Sequence, residues 1–331
     1  MGMRRVALIY NPASGQRLNK RSGRIADVVA VLREAGVEVE AIATESPESA
    51  GVQAQEAVRQ GFDTILACGG DGTVHESLQK LVGGTAALGV IPMGTANALA
   101  TDLGMPSSAV KAAKALLNAV PERISVGKVF YRGKEGEECS RYFIVAAGIG
   151  PDALFLSRLD SGLKARFGYA LYVVEAFRVW ATHSFPMFAA SFVESGSSTP
   201  RVEEVSQLLT VRISNFGGLL NNLAPGAALV NSHLRAIAFK TRSRMQYLRF
   251  LLAVVAGRHK FSDRIELVKA VSVECSSLNG SKAPLFVEAD GELLGTLPVR
   301  IEVVHEALTL LIPQKAQSRN SRPRDADPVP N

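Results

Sequence analysis

Residues 65–76, ILACGGDGTVHE, run an apolar segment into Gly69, Gly70 and Gly72 grouped around a single acid, Asp71. Glycines so placed leave backbone N–H groups open to an anion. Val74, Leu78 and Leu81 follow at helical spacing, so the loop feeds a helix N-terminus, where donors and dipole together favour phosphate. Thr73 and Glu76, three apart, match a capping box at that end. A carboxylate in the middle of such a loop repels phosphate. It is tolerable if Mg²⁺ lies between the two, or if the acid takes a proton from an attacking hydroxyl. Both roles stay open for Asp71, and either serves phosphoryl transfer. Taken alone, GG-D-G also suits an ordinary strand-to-helix turn.

Two more loops of similar kind lie nearby. Asn11-Pro12-Ala13-Ser14-Gly15 follows one apolar run, and Pro92-Met93-Gly94-Thr95-Ala96-Asn97 follows another. In an open parallel sheet, loops leaving the carboxyl ends of strands meet at one edge, where ligands bind. Three polar, glycine-bearing loops at equivalent positions point to one shared nucleotide site.

The elements that must position them alternate. Arg5 to Tyr10, Val37 to Thr44, Thr64 to Cys68 and Ala87 to Ile91 read as strands. Between them Ile25, Val28, Val29 and Leu32 recur at helical spacing up to Gly36, Ser46 and Pro47 open a second helix that Gly61 closes, and Val74 to Val82 forms a third. This is an α/β domain with a mostly parallel sheet, expected over 1–122. From 123 to 307 the segments are chiefly β: Ile124 to Tyr131, Tyr142 to Ala147, Phe188 to Glu194, Leu208 to Ile213, Leu234 to Phe239, Leu267 to Cys275, Leu285 to Glu288 and Val299 to Val304. They imply a sandwich-like second domain, with helices at Lys164 to Trp180 and Arg244 to Ala256. The strand Leu308 to Ile312 is open to returning to the first domain, and 314–331 reads as a disordered tail.

With 331 residues, 47% hydrophobic and 21% charged, the chain can bury two sizeable cores. Its net charge of +6 falls to +4 without the tail, a bias toward anionic partners that is too weak to argue for nucleic acid. Cys68, Cys139 and Cys275 are scattered without metal or disulfide spacing, which suits a reducing cytoplasm. The apolar start of MGMRRVALIYNP is too short for a signal peptide, and no run reaches the ~20 residues of a membrane span.

The motifs NPASG, GGDGTVHES and PMGTANALA resemble the three signature loops of the diacylglycerol kinase catalytic family, which includes bacterial lipid kinases, sphingosine kinases and ceramide kinases. The likeness continues in AAGIGPDA (146–153), NFGGLLNNLAP (215–225) and VEADGELLG (287–295), and so spans nearly the whole chain to Pro313. It implies an ATP- and Mg²⁺-dependent lipid kinase. By that resemblance Asn11, Ser14, Gly15, Thr44, Gly69, Gly70, Asp71, Gly72, Thr73, Gly94, Thr95 and Asn97 would line the ATP site, with Asp71 as metal ligand. Asp290 and Glu292 would face it from the second domain and, with Asp71, act in catalysis. Asp152 is similar to the residue that reads the substrate's polar head in sphingosine kinases. On the residues alone, Asp290-Gly291 is also a good hairpin turn and Asp152 a helix cap.

The chain departs from the family in two places. Ala98 follows Asn97 where many bacterial members have Asp, and Asn231-Ser232-His233 stands where some members hold a structural Mg²⁺ with an acidic pair. Gly148 to Ala153 fits a dinucleotide fingerprint formally, but no strand ending in an acid follows it, and no Walker loop exists. Lys20, Arg21 and Arg24 either add positive charge near the first loop or, for at least two of them, form a solvated helix face. Arg244 to Gly257 mixes arginines with bulky apolar residues and either packs on its own domain or lies in a membrane interface. The expectation is a cytoplasmic enzyme, with a peripheral site at the inner membrane face and a homodimer both open. Its rivals are a soluble-metabolite kinase similar to NAD kinase and a catalytically silent lipid-binding protein.

Overall fold

The computed structural model describes residues 3–12, 19–46, 48–133, 135–151, 153, 178, 181–182, 184–197, 199–217, 223–278 and 284–314. The expectations for Ser14, Gly15 and Asp152, for the helix at 164–180 and for the tail beyond 314 fall outside these residues, as do the side chains of Lys20 and Arg21.

The first third alternates strand and helix: β1 (Arg5–Tyr10), α1 (Asn19–Glu34), β2 (Glu38–Ala43), α2 (Ser49–Arg59), β3 (Thr64–Gly69), α3 (Asp71–Leu81), β4 (Ala87–Pro92), α4 (Ala98–Asp102) and α5 (Ala109–Leu117). All six residues of β3 and of β4 are buried, because both faces of these central strands are covered. The four strands pair in parallel in the order β4-β3-β1-β2. Their carboxyl ends therefore share one edge.

The rest is mainly antiparallel: β5 (Val120–Arg132), β6 (Glu138–Phe143), β7 (Ala146–Ile149), β8 (Phe188–Glu194), β9 (Arg201–Val205), β10 (Gln207–Val211), β11 (Leu234–Phe239), α6 (Arg244–Val255), β12 (Ile265–Ser277), β13 (Phe286–Ala289), β14 (Glu292–Thr296) and β15 (Val299–Ile312). The two sequence segments at 299–304 and 308–312 are one strand. A bulge between Val304 and Leu308, with Glu306 at φ 43°, produces the polar interruption that resembles a turn in sequence. β15 pairs antiparallel with β12 at Val299–Glu302 and with β5 along its length, and parallel with β4 at Thr309 and Leu310. It thereby joins both groups of strands into one sheet.

Three other expectations change. α2 begins at Ser49 with Glu48 as N-cap, where a start at Ser46 and Pro47 is expected; the Ser49 hydroxyl instead accepts the N–H groups of Glu45 and Ser46. No capping box closes α3. The extended Gly70 (φ −90°, ψ −172°) is its N-cap, the helix starts at Asp71, and Thr73 and Glu76 sit inside it. Finally the strand expected over 142–147 breaks at Ile144 and Val145, whose N–H groups are taken by a side chain.

Candidate active site

The shared edge of the parallel strands gathers the loop residues. Asn11 follows β1, Thr44 follows β2 with its N–H on the Tyr10 carbonyl, Gly69 to Thr73 join β3 to α3, and Gly94 to Asn97 follow β4. The last two loops touch backbone to backbone. A Cβ built on Gly94 would lie 2.4 Å from the Gly70 Cα, so Gly94 has no room for a side chain, and one on Gly70 would press the Gly94 Cα at 3.2 Å. Asn97, in the left-handed region (φ 49°), braces its own loop: Oδ1 accepts the Gly94 N–H and Nδ2 donates to the Gly94 carbonyl. Ala98 N–H then donates to Asp71 Oδ1 at 2.7 Å, locking one loop to the other.

α3 carries the other half of the geometry. Its position on α2 is set by Gly51, where a Cβ would stand 2.6 Å from the Glu76 carbonyl oxygen. One face of α3 reaches the antiparallel strands. Gln79 pairs with Tyr142 like a strand residue, Nε2 donating to its carbonyl (2.8 Å) and Oε1 accepting its N–H (3.0 Å). Glu76 is ion-paired with Arg141, whose guanidinium also donates to Glu292 at 2.6 Å. His75 Nδ1 lies 3.1 Å from Asp290 Oδ2.

Asp290 and Gly291 form the two-residue turn between β13 and β14, both at positive φ (48° and 86°), so the hairpin reading holds together with the placement of an acid. The Asp290 carboxylate, 3% exposed, accepts four hydrogen bonds: from His75, and from the N–H groups of Ile144, Val145 and Ala146 at 2.9–3.0 Å. Those bonds explain the break between β6 and β7. Glu292 faces Arg141 and His75 and takes no part in the cavity wall.

Between the two halves lies a cavity of about 380 Å³. Val74, Leu99, Ile144, Leu209, Phe216 and Leu223 supply its apolar lining, and Asp71, Glu288 and Asp290 its acids. Burial pushes the Asp71 carboxyl above the usual carboxylate range, against the Ala98 hydrogen bond, and the Asp290 charge adds to the rise. For His75, burial disfavours the charged ring, but the hydrogen bonds and charges of Asp290 and Glu292 outweigh it and raise the pKa to about 9. Arg141 Nε donates to His75 Nε2 at 3.0 Å, a contact only the neutral ring accepts, while Glu292 at 3.4 Å favours the charged one. Nδ1–H faces Asp290 in both states.

The ligand atoms of His75, Glu76 and Glu292 lie within 4.8 Å of one another, as metal ligands do. Arg141 contacts all three residues, so their negative charge already has a cation. Asp71, a carboxylate in the cavity wall, offers the oxygen donor a hard divalent ion takes, whereas the Asp290 oxygens already accept four hydrogen bonds.

Several residues here escape sequence reading. Glu288 and His75 lie inside quoted motifs but carry no signal of their own. Arg141 and Arg212 are single arginines in strand-like runs. Arg212 is fully buried and donates to the carbonyls of Ser125, Leu229, Asn231 and His233 at 2.6–3.0 Å. It supplies positive charge to the same 229–233 loop where the family resemblance raised the question of a metal.

The molecule is thus an α/β protein in which a glycine loop at the carboxyl edge of a parallel sheet lies across a cavity from acids on a β-hairpin. Residues 5–129 match the diacylglycerol kinase catalytic domain, and residues 145–312 match the YegS C-terminal NAD kinase beta sandwich-like domain. The chain is 28% identical over 316 residues to a diacylglycerol kinase of Bacillus subtilis, covering 95% of this chain and 98% of that protein. It is 27% identical over 297 residues to one of Staphylococcus saprophyticus, covering 89% and 91%. A crystal structure of a diacylglycerol kinase from Bacillus anthracis superposes with a TM-score of 0.68 at 21% identity, over 96% of this chain and 99% of that one. Yeast NADH kinase shares the fold more distantly, with a TM-score of 0.50 at 10% identity over 100% and 90%. The chain belongs to the diacylglycerol kinase catalytic family, and it is a lipid kinase.

Proposed function

We propose that this enzyme transfers the γ-phosphoryl group of ATP to the hydroxyl of a diacylglycerol, or of a sphingoid or ceramide-type lipid, at the mouth of the apolar cavity. The observation that carries the reading is that cavity. Its walls are aliphatic and aromatic, as an acyl chain requires, and its acids include Asp71 of the glycine loop. A polar metabolite would leave most of that lining unused.

In this reading the loops Asn11, Thr44, Gly69 to Thr73 and Gly94 to Asn97 hold the nucleotide phosphates. Asp71 would hold Mg²⁺, which when bound would offset phosphate charge. Alternatively Asp71 takes the proton of the reacting hydroxyl, for which burial and the neighbouring Asp290 charge suit it by raising its affinity for a proton. Glu292 acts through Arg141 and His75 to keep the hairpin against α3. A substrate of this class resides in a bilayer, so the reading includes work at a membrane surface; no helix among the described residues is long and apolar enough to cross one.

The test is radiolabel transfer from ATP to dioctanoylglycerol, sphingosine, ceramide and NAD offered separately to the purified chain. Label on one of the lipids supports the reading, and label on NAD alone would overturn it.

A further inference from the structure

α6 has two apolar faces. Phe250 and Val254 point inward, into a cluster with Phe239, Ile265 and Tyr247 that also contains Leu209, Phe216 and Leu223. Those last three residues are wall residues of the cavity. The opposite face carries Met245, Leu251, Leu252 and Val255 at 59%, 49%, 58% and 42% exposure. They are half of the large apolar side chains exposed among the described residues, gathered on three turns of one helix. Scattered exposed apolar residues are ordinary; a stripe of them on one helix is not.

Charge selects the occupant. Arg242, Arg244, Arg249, Arg258 and Lys260 are exposed on and around the helix, and no acidic residue occurs between Lys240 and Ser262. An apolar stripe on a segment that carries cations and no acids matches a bilayer interface with anionic headgroups, into which the stripe sinks while the cations stay among phosphates. A second copy of this chain would present the same cations to one another across a two-fold contact, with no acids in this segment to meet them. We infer that α6 is the membrane-seating helix, laid flat on an anionic lipid surface so that the cavity it backs opens close to the lipid phase. The inference rests on the cavity being the lipid site, and deepens that reading by naming the surface from which the lipid is drawn.

Two variants test it, each altering only exposed positions away from the cavity: Leu251→Asp with Leu252→Asp, and Arg249→Glu with Arg258→Glu. The full chain is co-sedimented with phosphatidylcholine vesicles with and without phosphatidylglycerol, across a salt series. The wild type is expected to sediment with the phosphatidylglycerol vesicles and to be released by salt, and each variant to lose about tenfold in partition. Both variants should keep wild-type turnover of a short-chain diacylglycerol dissolved as monomers, and lose turnover of the same headgroup embedded in vesicles. Variants that sediment like the wild type overturn the inference. So does a shift from dimer to monomer in sedimentation velocity with unchanged vesicle binding, which would assign the stripe to a second copy. If no lipid is phosphorylated by the wild type yet the binding differences hold, the kinase reading fails and the seating surface stands.

Discussion

Asp71 and His75 sit one helical turn apart on α3 and answer to the same acid, Asp290, with opposite signs. Asp71 is disfavoured as an anion by burial and by its neighbour's charge, so it holds a reactive group at a cost to folding. Asp71→Asn keeps an acceptor for the Ala98 N–H and removes the repulsion. The expected outcome is a loss of 10²-fold or more in phosphoryl transfer with a melting temperature equal to or above wild type; retained turnover would sink the assigned role. His75 works the other way. Its folded pKa of about 9 lies above the ordinary 6.5, so its ionic contribution is complete below about pH 6.5 and is lost as pH rises through about 9. The stability advantage of wild type over His75→Gln should therefore shrink across that window, by at most roughly 3 kcal/mol, given 1.36 kcal/mol per pKa unit. Urea unfolding at a series of pH values measures it, and a pH-independent difference would show the ring to be neutral throughout.

At the scale of elements, two close contacts place the site. The β3–α3 and β4–α4 loops meet through glycine, so Gly94→Ala forces them apart. It is expected to cost about 1–3 kcal/mol, the usual range for overpacking, and to weaken ATP binding in calorimetry more than the stability loss explains. Unchanged affinity would detach this contact from the nucleotide site. Arg212 is the second device. Burial lowers its pKa to about 10, which leaves it charged at neutral pH, and four carbonyls share its donors. Arg212→Met strips those acceptors of their cation; at about 1–3 kcal/mol for each buried group left unsatisfied, the loop and its contact with β5 at Ser125 should loosen. Faster amide exchange at 229–233 and a melting temperature lower by several degrees are the expected readings.

At the scale of the molecule, the strands of the two domains read from the sequence hydrogen-bond into one continuous sheet. β15 lies between β12 and β4 and pairs with β5 throughout, while α3 ties Asp71 to the hairpin of Asp290 through His75, Glu76 and Gln79. Neither half keeps its edge if the other unfolds. Denaturant unfolding followed by fluorescence and by circular dichroism should give one coincident transition; two separated steps would mean that β15 transmits little.

The sequence by itself determined the parallel strands and their loops, because uninterrupted apolar runs ending in glycine and polar residues are local signals. It also determined the family, through motifs whose order is written along the chain. The acids of the Asp290 hairpin were legible too, as a short motif. Only tertiary structure decided what those groups face. That Asp290 plugs the gap between β6 and β7, that Glu292 turns to Arg141, that Glu288 reaches the cavity and that Arg212 holds a distant loop depend on residues 17 to 151 positions apart, and no local pattern encodes such a pairing. The capping box illustrates the physical reason. Thr73 and Glu76 have the right spacing for it, but a glycine loop packed against another glycine loop moved the helix start, and an arginine from β6 took the glutamate.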